Sequence, residues 1–176
     1  MSAEIVWIMG RPASGKTTLA SYYTQSLRGN KEVILHLDGD VLRAGLNSDL
    51  GFCAKDRLEN IRRVCELVRL LSLQGIKTVV SMITPTHNIQ DFVRQSLIGL
   101  RLHLVYLHCD VHECIRRDPK GLYARALRGE ISDFTGVNAP FEEPINPDLI
   151  LGSDSLAPDL CHKDLMRYLN CGSLKA

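Results

Sequence analysis

The chain lacks a surplus of charge of either sign. Its 21 lysines and arginines stand against 20 aspartates and glutamates, for a formal net charge of +1. That balance excludes the broad basic field that gathers nucleic acid or an anionic membrane, so neither is expected as a partner. Any cluster of arginines has to be read locally. Long hydrophobic runs are missing too, and no stretch approaches the roughly 20 apolar residues of a membrane span. The opening, MSAEIVWIMG, has no basic region before its apolar run, and that run ends at once in a glycine-rich loop. This is not the plan of a signal peptide, so a cytoplasmic protein is expected. The six cysteines, Cys53, Cys65, Cys109, Cys114, Cys161 and Cys171, include no CxxC pair. Their apolar or helical contexts suit buried reduced thiols. The cluster His108, Cys109, His112 and Cys114 tempts a metal reading. A strand end followed by a helix sends those side chains in different directions, which argues against one. Internal repeats are absent.

What is present fits one domain over residues 1–176, of which 45% are hydrophobic. Short apolar runs alternate with helical periodicity. Residues 4–9, 33–37, 78–83, 102–109 and 149–151 read as strands. Residues 16–27, 56–74, 89–97, 123–128 and 158–169 read as helices. Asp110, with Glu113 three residues on, reads as a capping box opening one more helix. The run LVYLHCD also has the look of a Walker B strand, but the capping role is preferred for Asp110. The alternation predicts a parallel sheet with helices on both faces and ligands at the carboxyl ends of the strands. Residues 133–148, with Pro140, Pro144 and Pro147, form the one long irregular stretch and read as functional or lid-like.

Gly10, Arg11, Pro12, Ala13, Ser14, Gly15, Lys16 and Thr17 match GxxxxGK[ST] without a gap, between a predicted strand and a predicted helix. In such a P-loop the main-chain N–H groups point at phosphates and glycines let the chain wrap closely. Lys16 would bring a charge to the β- and γ-phosphates of a nucleotide, and the Thr17 hydroxyl can ligate Mg²⁺. Asp38-Gly39-Asp40 closes the second strand, near that loop in a doubly wound sheet. One carboxylate there can accept the proton of an attacking hydroxyl or hold a water on Mg²⁺. The alternative is an Asp-Gly turn in which Asp40 caps a helix. Asp38 is favoured for the functional role. Arg43, Arg57, Arg62, Arg63, Arg116, Arg117, Arg125 and Arg128 cluster around these segments, as paired anionic ligands would require.

With these pieces in view the chain resembles the adenylylsulfate kinase family from Ile5 to about Leu151. The matching runs are GRPASGKTTLA, LDGDVLRAGLNSDLGF, DRLENIRRV, VVSMITP, RDPKGLYARALRGEISDFTGV and EEPINPDL. The resemblance implies an α/β, P-loop NTPase-type parallel sheet with helices on both faces and a mobile lid at about residues 117–135. It implies ATP and Mg²⁺ as cofactors, ATP contacts from Gly10 through Thr18 and from Arg117, and a small-molecule nucleotide acceptor. Asp38 resembles the catalytic carboxylate, with Lys16 beside it. Arg43, Arg57 and Asn60 resemble the groups around the sulfate and phosphate of the acceptor, and Phe52 and Phe134 the pair that sandwiches its adenine. Asp40, Ile83 and Lys120 resemble further pocket residues. Stand-alone members are commonly homodimers.

Three departures stand out. The family's ISPYR is here Ile83-Thr84-Pro85-Thr86-His87, and Gln90 replaces a second arginine. His108 replaces an aspartate at the end of the fourth strand, and the phosphate loop reads GRPASGKT rather than GLSGSGKT. None removes a group that phosphoryl transfer needs. The changed stretch from Thr84 to Gln90 is where the choice of acceptor base is expected to be made. Three readings follow: a kinase of the adenylylsulfate 3′-hydroxyl, a kinase of another nucleotide such as cytidine diphosphoramidate, and a nucleotide-binding regulatory domain without catalysis. The intact Lys16, Thr17 and Asp38 argue against the last.

Overall fold

All five residues of the strand Ile5–Met9 (β1) are buried, none more than 1% exposed. A strand covered on both faces belongs inside a parallel sheet between two helical layers. That is its position in the computed structural model, which describes residues 2–172. After β1 come α1 (Lys16–Gly29), β2 (Ile34–Asp38), α2 (Gly39–Ala44), α3 (Ala54–Leu73) and β3 (Lys77–Ser81). Then follow α4 (His87–Ser96), β4 (Leu102–His108), α5 (Val111–Arg117), α6 (Leu122–Leu127), β5 (Leu149–Gly152) and α7 (Pro158–Gly172). The strands pair in parallel throughout, in the order β2-β3-β1-β4-β5. The expected α/β, P-loop NTPase-type sheet is therefore the fold. Among the described residues no helix is long and apolar enough to cross a membrane.

Alternation along β1 sorts the core. Ile5, Trp7 and Met9 face one way, onto Ile61, Val64, Cys65 and Val68 of α3 and Ile89 and Val93 of α4. Val6 and Ile8 face the other way, onto Leu19, Ala20, Tyr23 and Leu27 of α1 and Cys161, Leu165 and Leu169 of α7. A third, smaller cluster joins Cys109, Cys114 and Tyr123 to Ala13, Ile115, Phe134 and Val137. It sits at the carboxyl end of β4 and ties the phosphate-loop segment to α5, α6 and the stretch that follows α6.

Several sequence expectations change here. The helix α2 begins straight after β2, in a stretch where the sequence reading assigns no helix. Its cap is Asp38, whose Oδ1 accepts the Asp40 amide at 3.0 Å, and not Asp40. The α3 helix opens at Ala54, two residues before the expected start. Asp110 does cap α5, accepting the His112 amide at 2.8 Å, but the box is not closed. Glu113 pairs instead with Arg116 and Arg117, and the Asp110 amide donates to Asp154 at 3.2 Å.

One buried bond carries the core to the cleft. Trp7 Nε1 donates to Thr84 Oγ1 at 2.9 Å, and Thr84 stands just beyond β3 at φ 51, in the left-handed region. With Thr84 only 1% exposed, no water replaces that donor. We predict that Trp7→Phe lowers unfolding stability by about 1–3 kcal/mol through the unpaired hydroxyl, plus a cavity term. Urea unfolding followed by circular dichroism measures it. A variant as stable as the parent would show that Thr84 is not held this way.

Candidate active site

The phosphate loop is shaped by close approach. A Cβ on Gly10 would lie 2.5 Å from the Leu107 carbonyl oxygen, so only glycine fits against β4 there. Gly15 turns into α1 at φ 94. Between them Ala13 adopts φ 61, left-handed for a residue with a side chain, at a cost of about 1–2 kcal/mol. The first turn of α1, from Lys16 to Thr18, then presents main-chain donors to the cleft. Lys16 Nζ is folded back, donating to the Arg11 carbonyl at 2.6 Å. Burial pushes its pKa down to about 8, against the pull of Asp40 and Asp38.

Asp38 faces this loop from the end of β2. Its Oδ2 accepts from Thr17 Oγ1 at 2.7 Å and from Ser81 Oγ at 2.7 Å. His36 Nε2 lies 2.9 Å from the same Ser81 hydroxyl. Burial pushes the Asp38 pKa up, but the Thr17 and Ser81 hydroxyls and the Asp40 and Val41 amides outweigh it and hold the carboxyl below its ordinary value. The group is a fixed anion at neutral pH. Ser81 went unnoticed in the sequence; its signal was register, because it pairs with Asp38 across the β2–β3 ladder.

Loop and carboxylate open into one cleft of about 1160 Å³. That exceeds the upper end of the roughly 300–1,000 Å³ usual for a single ligand and suits two nucleotides. Pro12, Ala13, Ser14, Gly15, Lys16, Thr17, Thr18 and Arg117 line one side of it. Asp38, Asp40, Arg43, Phe52, Arg57, Asn60, Ile83, Lys120 and Phe134 also line it. Two expected residues do not. Gly10 is packed behind the loop, and the Arg11 guanidinium leaves the cleft to stand 4.5 Å over the Phe141 ring. The wall from Ser153 to Pro158, with Cys161, was not foreseen. Ser153 Oγ donates to the Ser14 carbonyl at 2.7 Å, and its own carbonyl accepts from Arg117 at 2.6 Å.

Phe52 is 56% exposed in the loop before α3 rather than buried in the core. The Arg43 guanidinium lies 4.4 Å from its ring centroid, and Arg57 Nε donates to its carbonyl at 2.8 Å. Phe134 packs edge-on against Tyr123 at 5.0 Å. Asn60 is buried, its Oδ1 accepting from Asn47 at 2.7 Å, which leaves its amide nitrogen as a donor. Two contacts span the cleft. Lys120 Nζ donates to Asp40 at 2.5 Å, and Arg57 Nη2 donates to the Asp133 carbonyl. Among the eight arginines picked out by sequence, only Arg43, Arg57, Arg117 and Arg125 line the cleft. Arg62 and Arg63 pair with Glu59, Arg63 also with Asp49, Arg116 with Glu113, and Arg128 with Glu130.

The altered stretch divides in two. Ile83, Thr84 and Pro85 line the cleft, whereas His87 and Gln90 do not. His87 Nε2 lies 2.9 Å from the Glu143 carbonyl oxygen, and Gln90 Nε2 donates to the Glu142 carbonyl at 2.9 Å. The two substituted positions therefore serve the wall behind the cleft.

A family model described as adenylylsulphate kinase matches residues 2–152. The adenylyl-sulfate kinase of Bacillus licheniformis is 40% identical over 167 residues, covering 95% of this chain and 85% of its own. That of Thermodesulfovibrio yellowstonii is 43% identical over 168 residues, covering 94% and 82%. Among solved structures, the Mycobacterium tuberculosis APS kinase CysC in complex with AMPPNP and APS matches with a TM-score of 0.92 at 36% identity. The match covers 96% of this chain and 98% of that one.

The depressed Lys16 pKa makes a testable link. A polyphosphate brought against this ammonium favours its charged form, so binding must take up a proton wherever the free lysine is partly neutral. With a free value of about 8, uptake is near zero at pH 6.5 and grows through pH 9. We predict this pattern for a non-hydrolysable ATP analogue, from calorimetry in buffers of different ionisation enthalpy. Lys16→Arg, charged throughout, should abolish the uptake. Binding at pH 9 without proton uptake would refute the assignment.

Proposed function

Since the chain belongs to the adenylylsulphate kinase family, we propose that it moves the γ-phosphoryl group of ATP onto the 3′-hydroxyl of adenylylsulfate, in a reaction set up by the cleft. The observation that carries this reading is a single cleft holding a phosphate loop, a second pocket of arginines and exposed aromatic surface, and the Asp38 carboxylate.

ATP lies along Pro12 to Thr18, its phosphates on the main-chain donors at the start of α1. Lys16 leaves the Arg11 carbonyl to meet the β- and γ-phosphates. Thr17 Oγ1 and the ionised Asp38 are hard oxygen donors 2.7 Å apart, a set that fits Mg²⁺ with most of its waters kept. When bound there, Mg²⁺ would neutralise part of the charge on the transferring phosphate. Thr17 can ligate through a lone pair while still donating its proton to Asp38. The acceptor base stacks between Phe52 and Phe134, a contact worth about 1–3 kcal/mol per base. Arg43, Arg57 and the Asn60 amide hold its anionic end, with Ile83 and Lys120 around it.

Asp38 orients the attacking hydroxyl. Its lowered pKa makes it a weak base, which suits a loose transition state in which the hydroxyl proton leaves late. Arg117, Lys120 and Arg125 are the cations of the lid segment that line the cleft. We propose a homodimer in the cytoplasm, and light scattering on the purified chain tests the dimer.

A coupled ADP-release assay with adenylylsulfate and cytidine diphosphoramidate side by side tests the acceptor. Turnover of the first and not the second is expected. In that assay Lys16→Ala should lower kcat by a factor on the order of 10²–10³ with the fold intact. Asp38→Asn should lower kcat by about 10² or more while changing ATP affinity less than about threefold. Near-parental turnover in a folded Lys16→Ala protein would sink the kinase reading. An unchanged kcat in Asp38→Asn would reduce Asp38 to a helix cap.

A further inference from the structure

Arg11 occupies the second position of the phosphate loop, yet its side chain turns away from the phosphates. Its guanidinium stands 4.5 Å over Phe141 and 3.7 Å from a Glu143 carboxylate oxygen, with only 19% of the side chain exposed. A stacked, ion-paired and largely buried guanidinium is held in one geometry. Its main chain meanwhile stays in the site, because the Arg11 carbonyl is the one that holds Lys16 Nζ at 2.6 Å.

The segment that receives Arg11 is itself fastened to the acceptor side. The Glu142 amide donates to the Pro85 carbonyl at 2.8 Å, and the Glu142 carboxylate accepts the His87 amide at 2.6 Å. Gln90 Nε2 donates to the Glu142 carbonyl at 2.9 Å. Pro85 lines the cleft, as does Phe134, which lies shortly before this segment. Phe134 closes the intervening turn by accepting the Ala139 amide at 3.1 Å, while the Gly136 amide donates to the Ala139 carbonyl at 2.8 Å.

We propose that Arg11 is a positioning residue that fastens the phosphate loop to residues 136–143 and so sets the acceptor pocket, through Phe134 and Pro85, at a fixed distance from Lys16. This rests on the kinase reading for its kinetic consequence but not for its structural one. The guanidinium works through its neighbours and touches neither substrate. It also gives His87 and Gln90 a purpose, since they hold the far side of the same segment.

The test uses Arg11→Leu, which keeps bulk and removes charge and stacking, and Arg11→Lys, which keeps charge alone. Amide hydrogen exchange at Gly136, Ala139 and Glu142 should quicken about tenfold in Arg11→Leu and less in Arg11→Lys. The acceptor KM should rise about three- to tenfold while the ATP KM changes less than about twofold. Adding Glu143→Gln to Arg11→Leu should cost less than the two single effects combined. A rise in ATP KM alone would make Arg11 a phosphate contact and overturn the proposal. Unaltered exchange, or a lower melting temperature with both KM values unmoved, would overturn it as well. If the parent protein fails to turn over adenylylsulfate, the acceptor reading falls, and the exchange data still decide the role of Arg11.

Discussion

The Asp38 carboxylate holds three elements at one point: α1 through Thr17, the end of β3 through Ser81, and the start of α2 through the Asp40 amide. An anion at the mouth of a cleft that gathers anions is unfavourable unless donors surround it, and charge-assisted hydrogen bonds are the strong kind. The parallel register that sets Asp38 beside Ser81 supplies one donor, and the phosphate loop supplies another. The order β2-β3-β1 brings the β2 end within reach of the helix that follows β1. Sheet order, loop and short α2 helix thus converge on keeping one charge satisfied at the mouth of the cleft.

Local pattern made much of this legible. A run of β-branched and apolar residues followed by GxxxxGKT reads as strand, loop and helix because each part is specified within a few residues. The six-residue α2 is too short for periodicity, and the same Asp that looked catalytic is also its cap. The box expected at Asp110 failed because Glu113 found two arginines one turn on, and Asp154 reached the amide from beyond β5. The substituted His87 and Gln90 looked like pocket changes. Their partners, Glu142 and Glu143, lie more than fifty residues along the chain, where no spacing rule reaches. A still longer separation, from Arg11 to Phe141 and Glu143, hid the direction of the Arg11 side chain.

The balanced composition is repeated in the site, where Lys16, Arg43, Arg57, Arg117, Lys120 and Arg125 line the cleft beside Asp38, Asp40, Asp118, Asp133 and Asp154. Four of the eight arginines near the site segments are held by acidic partners away from the cleft, and of the four that line it Arg117 pairs with Glu113 and Arg125 with Glu130. The field is focused into a concave, low-dielectric space, where each charge counts for more than it does on an open face.

Pro12 and Ala13 give the phosphate loop a property that a loop richer in glycine lacks. Proline admits one narrow range of φ, and Ala13 is held at φ 61, a conformation that a methyl-bearing residue rarely samples when free. A glycine there would wander through many backbone states before gathering around a triphosphate, and would surrender that disorder on every encounter. This loop gives up its disorder once, when the chain folds. Its nucleotide affinity should therefore carry a smaller entropic penalty, at the expense of a folded state strained by about as much as one weak hydrogen bond is worth.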